Sequence, residues 1–282
     1  MKKICLTLIV LSLCSLSLAG RLSGVTDNHQ QEPAAVSQKK AEANHAAPDS
    51  TLASTDCAVS FSSGANNTFL SYCVSTNGNV LNIVTPVGQQ QTFGREGYGI
   101  CDFNSNTEYF DYGFTGVSSN WNPGVVLSHS ATKVKVARTT SDGIWTLTET
   151  VTQVPATSSI KVSMTLRNNT AVSHEVQLSR FADIDANGTT QNTVDSTIND
   201  AMIYGSIQRA VPFGLALQNI GTSPFTYLGF IRNTSAALAP CTPFTNQATG
   251  PLVDTDGTAV MTYVITVPAN GSKTVNVGYR GL

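Results

Sequence analysis

Charge is scarce in this chain: Asp, Glu, Lys and Arg make up 12% of 282 residues and nearly cancel, at −2. No basic stripe runs along the sequence, which argues against nucleic acid as a partner. No polybasic cluster or amphipathic helix would hold the chain to a membrane surface. Histidine is scarcer still, at four. His129 and His174, the two in the folded region, stand isolated, so the close Cys/His spacing of a zinc site is missing. A phosphate loop, a Gly-x-Ser-x-Gly elbow and a His-based metal motif are missing too. Beyond residue 55 no convincing helix of ten residues can be drawn. What remains is rich in Thr, Ser, Asn and Gly, the composition of an extracellular all-β surface.

Only one apolar run is long. Lys2 and Lys3 precede Ile4 to Leu18, and Ser17 and Ala19 supply small residues at −3 and −1 of a cleavage site. Residues 1–19 therefore read as a signal peptide, and the chain is expected to be secreted or periplasmic. Cys14 follows Leu13, not a small residue, so a lipoprotein reading is weak. No second apolar stretch approaches about 20 residues, so no membrane span is expected in the mature chain. Residues 20–55 hold Ala, Gln, Ser and Pro with almost no aromatic or β-branched content, and are expected to form a disordered leader. The domain is expected over 56–282.

Export changes how cysteine reads. Cys57, Cys73, Cys101 and Cys241 remain after cleavage, an even number in an oxidising compartment. Four cysteines allow three pairings. Cys57–Cys73 with Cys101–Cys241 is favoured, because the first two flank a short hairpin-like segment.

From Asp56 onward the dominant signal is period-two alternation. Trp145, Leu147, Glu149 and Val151 alternate with Thr146, Thr148, Thr150 and Thr152. Ile160, Val162, Met164 and Leu166 alternate with Lys161, Ser163, Thr165 and Arg167. Such runs, closed by Asp142-Gly143 or Asn168-Asn169, are strands with one wet face. Asn77-Gly78, Asn187-Gly188 and Asn270-Gly271 read as hairpin turns. The expected fold is all-β, a single large antiparallel β-sandwich. The threonine row on 144–152 has no repeat beside it in sequence and reads as an ordinary solvent face.

The run from Ser158 to Asp185, and the closing Tyr263 to Gly281, resemble the strand–turn–strand pattern of secreted bacterial β-sandwich modules. That resemblance implies a fold and no activity.

Candidate chemistry falls in three places. Asp183, Asp185 and Asn187 occupy positions 1, 3 and 5 of a calcium-loop pattern, with Gly188 at its sharp turn. The bidentate Glu of position 12 is replaced by Val194, with Asp195 one residue late. Calcium is the candidate cofactor, needing a further oxygen donor, and a plain turn is the alternative. Residues 86–124 break the meander and concentrate aromatics. Tyr98, Tyr109, Tyr112 and Trp121 could stack on sugar rings beside Glu108 and Asp111, or could cover one end of the core. Residues 234–258 form a second long connection, which Cys101–Cys241 would staple to the first. Finally, Glu149 lies on an apolar strand face, where it is either functional or paired with an arginine such as Arg180. Arg180 and Phe181 conflict in phase, which a bulge there would resolve.

The functional expectation is a noncatalytic module binding a glycan or a surface partner, with calcium as stabiliser. One alternative is a carbohydrate-active enzyme using paired carboxylates about 5–10 Å apart. The other is a structural or adhesion protein.

Overall fold

Alternation is realised as strand throughout a computed structural model that describes residues 57–113, 118–196, 200–205, 213–221, 226–232, 240–241 and 251–282. The expected signal peptide and leader lie outside these residues. In chain order come β1 (Cys57–Ser63), β2 (Leu70–Ser75), β3 (Val80–Val84), β4 (Thr92–Asp102), β5 (Thr107–Asp111) and β6 (Ser118–Ser119). They are followed by β7 (Val125–His129), β8 (Lys133–Thr139), β9 (Trp145–Val154), β10 (Ser159–Asn168), β11 (His174–Ile184) and β12 (Asn192–Ser196). The last six are β13 (Asp200–Gly205), β14 (Gly214–Asn219), β15 (Thr226–Arg232), β16 (Leu252–Thr255), β17 (Thr258–Val267) and β18 (Ser272–Gly281). Three-residue 3₁₀ turns are the only helical elements among the described residues, and no helix there could cross a membrane.

All strand pairing among the described residues is antiparallel. Nine strands form one sheet in the order β16-β12-β13-β14-β18-β10-β9-β8-β7, and six form another, β15-β17-β11-β4-β5-β6. A third sheet, β1-β2-β3, lies against β4 through β3: the Gln91 amide donates to the Ile83 carbonyl, and the Ile83 amide to Thr92 Oγ1. One apolar core joins the three. Trp145, Leu147, Val151, Val162 and Met164 face it from the nine-stranded sheet, and Ile100, Val176, Leu178 and Ile265 from the six-stranded one. This is the large antiparallel sandwich the alternation predicts.

Three local expectations change. Of the Asn-Gly turns, Asn77-Gly78 joins two paired neighbours, β2 and β3. Asn187-Gly188 and Asn270-Gly271 instead link strands of different sheets, β11 to β12 and β17 to β18. A turn dipeptide fixes local dihedrals and says nothing about which sheet the next strand enters. The 86–124 segment, read as a break in the meander, supplies β4 and β5 to the six-stranded sheet. The phase conflict at Arg180 needs no bulge in β11, whose pairing with β17 runs unbroken from His174 to Asp183. Both faces of this strand are buried, and Phe181 meets the edge of Tyr112 at 4.6 Å. The irregularity falls on β4, where Ala182 faces Glu96 and Ile184 faces Thr92.

Both favoured disulfides form, Cys57–Cys73 within the β1–β2 pair and Cys101–Cys241. The second brings Pro240 across β4, where a Cβ on Gly99 would sit 2.6 Å from Pro240 Cγ. Gln177 Nε2 donates to the Pro240 carbonyl at 2.8 Å and the Cys241 amide to Glu108 Oε1 at 2.8 Å. Removing the 140-residue cross-link with Cys101→Ser/Cys241→Ser should cost about 5 kcal/mol of unfolding free energy in the chain-entropy model. Urea denaturation of the variant checks it, and an unchanged midpoint would show that the staple does not constrain the unfolded chain.

Candidate functional site

The densest chemistry lies where the three sheets meet, and it starts from alternation. On β11, Val176, Leu178 and Arg180 point one way; on β9, so do Leu147, Glu149 and Val151. Two charged side chains are thereby turned into an apolar interior. Arg180 Nη1 donates to Glu149 Oε1 across the sandwich, and Nε donates to Glu96 Oε1 from the neighbouring β4. Its remaining Nη2 reaches the Gly78 carbonyl at 3.1 Å. Tyr279 on β18 donates its hydroxyl to Glu96 Oε1, and the Val80 amide donates to Glu96 Oε2 at 2.6 Å.

A second layer adjoins the first. Arg138 Nη1 donates to Asp111 Oδ2 and, at 3.1 Å, to the Tyr98 hydroxyl. Asp111 also accepts from Asn79 Nδ2 at 2.9 Å and Asn77 Nδ2 at 3.1 Å. The Tyr98 hydroxyl itself donates to the Asn77 carbonyl at 2.7 Å. The Asn77-Gly78 hairpin is thus plugged into both arginine layers. Gly78 has φ +93°, and a Cβ there would lie 1.9 Å from Glu149 Oε2.

Electrostatics follow from burial. Glu149 is pushed up to about 8, chiefly by desolvation, with the like charge of Glu96 adding and Arg180 opposing. Burial raises Glu96 as well, against Arg180 and the Tyr279 hydrogen bond. One guanidinium between two carboxylates carries a net charge of −1 when both are ionised, and a proton on Glu149 makes the trio neutral. A carboxyl near neutrality is what a general acid needs. Here both carboxylates are buried and bonded to the same arginine, which ties β4, β9 and β11 together.

The aromatic candidates are likewise inside. Tyr98, Tyr109 and Tyr112 are buried, and Trp121, half-buried, presents edge contacts to Tyr98 at 5.5 Å and Tyr109 at 6.2 Å. Asp111 belongs to the arginine layer, and Glu108 holds Cys241. His174 bonds Asp102 through Nδ1 at 2.8 Å, while its buried Nε2 makes no hydrogen bond, so no hydroxyl nucleophile is attached to it.

At the end of β11 a third group assembles. Asp183, Asp185 and Asp256 bring one carboxylate oxygen each within 4.8 Å of one another. Asp256 comes from the turn between β16 and β17, outside the 183–188 loop. Asp195 lies on β12, where it accepts from the Ser196 amide, outside this group, and the Asn187 side chain is outside the described residues. Asp183 also has Arg95 Nη1 at 3.9 Å.

Sequence reading anticipated the Glu149–Arg180 pair and missed Arg138, Asn79 and Tyr279. Arg138 carried the same signal as Glu149, a charge in phase with Val134 and Val136. Asn79 and Tyr279 gave none beyond inward parity.

No family model matches the sequence, and no curated protein matches it. Among solved structures, a bacterial glucoamylase complexed with acarbose is similar at a TM-score of 0.50 and 10% identity. The match covers 80% of this chain and 33% of that one, so the chain spans about a third of the enzyme's length. A putative aldose 1-epimerase from Escherichia coli matches at 0.42 with 8% identity, over 79% of this chain and 99% of that one. A heparan sulfate lyase from Pedobacter heparinus matches at 0.44 with 10% identity, over 79% and 34%. The likeness to the glucoamylase is one of fold alone.

Arg180→Met would leave two buried carboxylates without their cation and should cost about 3–5 kcal/mol in urea denaturation at pH 8. A loss below about 1 kcal/mol would mean that the site relaxes open to water. Glu149, raised in the folded state, holds a proton there that the unfolded chain releases above pH 4.5. Stability should therefore fall as pH rises from about 4.5 towards about 8. In Glu149→Gln the fall should be shallower, as read from denaturation midpoints across that window, and an identical slope would assign the effect to other groups.

Proposed function

We propose that this is an exported carbohydrate-binding module, a noncatalytic β-sandwich that meets its ligand on a sheet exterior and not in an acid–base cleft. The observation that carries the reading is the fate of the inward carboxylates. Glu96 and Glu149 share Arg180 in the interior, and Asp111 is held by Arg138. A glycoside hydrolase needs one carboxyl free to protonate the leaving group and room for the sugar between the two. This geometry serves cohesion instead. The likeness to part of a glucoamylase, itself in complex with acarbose, supports a carbohydrate setting for the fold. A glycan array on the purified full-length chain should return binding without release of reducing sugar from any hit. Release of reducing sugar would replace this reading with the enzyme alternative, and an array without hits would leave the structural or adhesion role.

Calcium is part of the proposal, at Asp183, Asp185 and Asp256. Asp183 and Asp185 are 5% and 9% exposed, and Asp256 brings a third carboxylate oxygen within 4.8 Å of theirs, a concentration of hard anionic oxygens that suits a divalent cation. A second observation lies beside them. Asn192, fully buried on β12 opposite Thr255, has no donor for its Oδ1. A buried amide oxygen such as Asn192 Oδ1 is a ligand that a hard cation can take. Calcium should raise the thermal midpoint, a chelator should reverse the rise, and Asp256→Asn should abolish it. No shift, together with no heat on calcium titration, would remove the ion.

A further inference from the structure

The outer face of the nine-stranded sheet gathers cations that the sequence keeps apart. Alternation on β8, β10 and β18 turns Lys133, Lys135, Lys161, Arg167 and Arg280 outward, and all five are exposed. Sheet order then makes them neighbours. Lys133 faces Thr152, which faces Lys161, in one row across β8, β9 and β10. Arg167 faces Thr146 on one side and Ser272 on the other. No outward position of β8, β9, β10 or β18 holds Asp or Glu. The first acids met on this face, Asp200 and Asp195, are on β13 and β12, beyond β14. Asp142, in the β8–β9 turn, is engaged by Tyr109 and Thr140.

Between the cations the face is hydroxylic. Thr165 and Thr274 share a hydrogen bond at 2.8 Å, and Ser163 donates to Asn276 at 2.6 Å. With Thr148 and Thr150 they extend the β9 threonine row sideways over three strands, which no repeat in the sequence announces.

We infer that this face binds an anionic polysaccharide, carboxylated or sulfated. The inference rests on the binding-module reading and names the ligand class for it. Charge complementarity sets the sign, because a field of one sign concentrates the opposite charge. Spacing sets the polymer. Lys133 and Lys135 are two residues apart, about 7 Å, and Lys133 and Lys161 two strands apart, about 10 Å. Duplex nucleic acid carries a charge every ~1.7 Å of axis and calls for a denser array. Single strands stack on aromatic platforms, and no aromatic residue points outward from these four strands. Widely spaced charges among many hydroxyls match a glycan chain whose sugars offer hydroxyls to threonine and asparagine.

The test uses the full chain with two probes, heparin for sulfate and polygalacturonate for carboxylate, beside neutral glycans and duplex DNA. Wild type should bind at least one polyanion with an affinity that falls as salt rises. Lys133→Gln/Lys135→Gln/Lys161→Gln should weaken that binding at least tenfold and reduce its salt dependence, with an unchanged thermal midpoint because all three side chains are exposed. Equal binding by the triple variant, no binding to either polyanion, or DNA bound more tightly than both would overturn the inference. Neutral glycans bound without polyanions would overturn only the charge assignment and leave the module reading standing. No glycan of either class bound would overturn both.

Discussion

One guanidinium organises this sandwich. Arg180 is wholly buried, and its donors go to Glu96 on its own sheet, Glu149 on the opposite sheet and the Gly78 carbonyl of the third. A buried ion pair is weak evidence for stability, because desolvation offsets much of the attraction. Its consequence is registry. Slipping β11 by one residue would send Arg180 to the other face and bring Phe181 against two carboxylates. A slip of β9 would send Glu149 into water among the threonines. Apolar neighbours alone tolerate such exchanges far better, since Val, Leu and Ile can replace one another at similar volume. The charged trio therefore fixes which residues of three sheets meet, while the apolar core supplies most of the cohesion.

The same network explains the β2–β3 hairpin. An Asn-Gly turn is ordinarily a solvent feature, but here Asn77 and Asn79 point into the Asp111 layer and Gly78 closes over Glu149. Glycine is required twice over, by its φ of +93° and by the space that a Cβ would take from the carboxyl. The turn acts as a polar plug: it offers carbonyls to Arg180 and Tyr98 and amides to Asp111, in an interior where unpaired polar groups are costly.

Much of this was legible in the sequence, and the boundary of legibility is physical. Period two reveals which side chains share a face, so Glu149 among Trp145, Leu147 and Val151 was visible as a charge turned inward, to be either functional or paired with an arginine such as Arg180. The two disulfides followed from compartment and spacing. Sheet membership was not legible, because Asn187-Gly188 and Asn270-Gly271 look like hairpin turns whether the chain folds back on its neighbour or crosses to the other sheet. A strand buried on both faces also defeats parity, as at Arg180 and Phe181 on β11. Asp256 shows the same limit for the acidic group: it lies far from Asp183 in sequence and beside it only because β17 pairs with β11.

Charge segregation is where composition misleads most. A net charge of −2 and a charged fraction of 12% describe a nearly neutral chain. Yet Arg138 and Arg180 are drawn inside to answer three carboxylates, while Lys133, Lys135, Lys161, Arg167 and Arg280 are left facing outward on adjacent strands. The separation arises from two independent rules acting together. Parity decides the face of each cation, and the strand order β18-β10-β9-β8 decides its neighbours. Neither rule is visible in a sum over the chain. A face of one sign can therefore be built from a balanced sequence, provided that opposite charges are consumed in the interior or placed on strands outside the cationic four, as Asp195 and Asp200 are here.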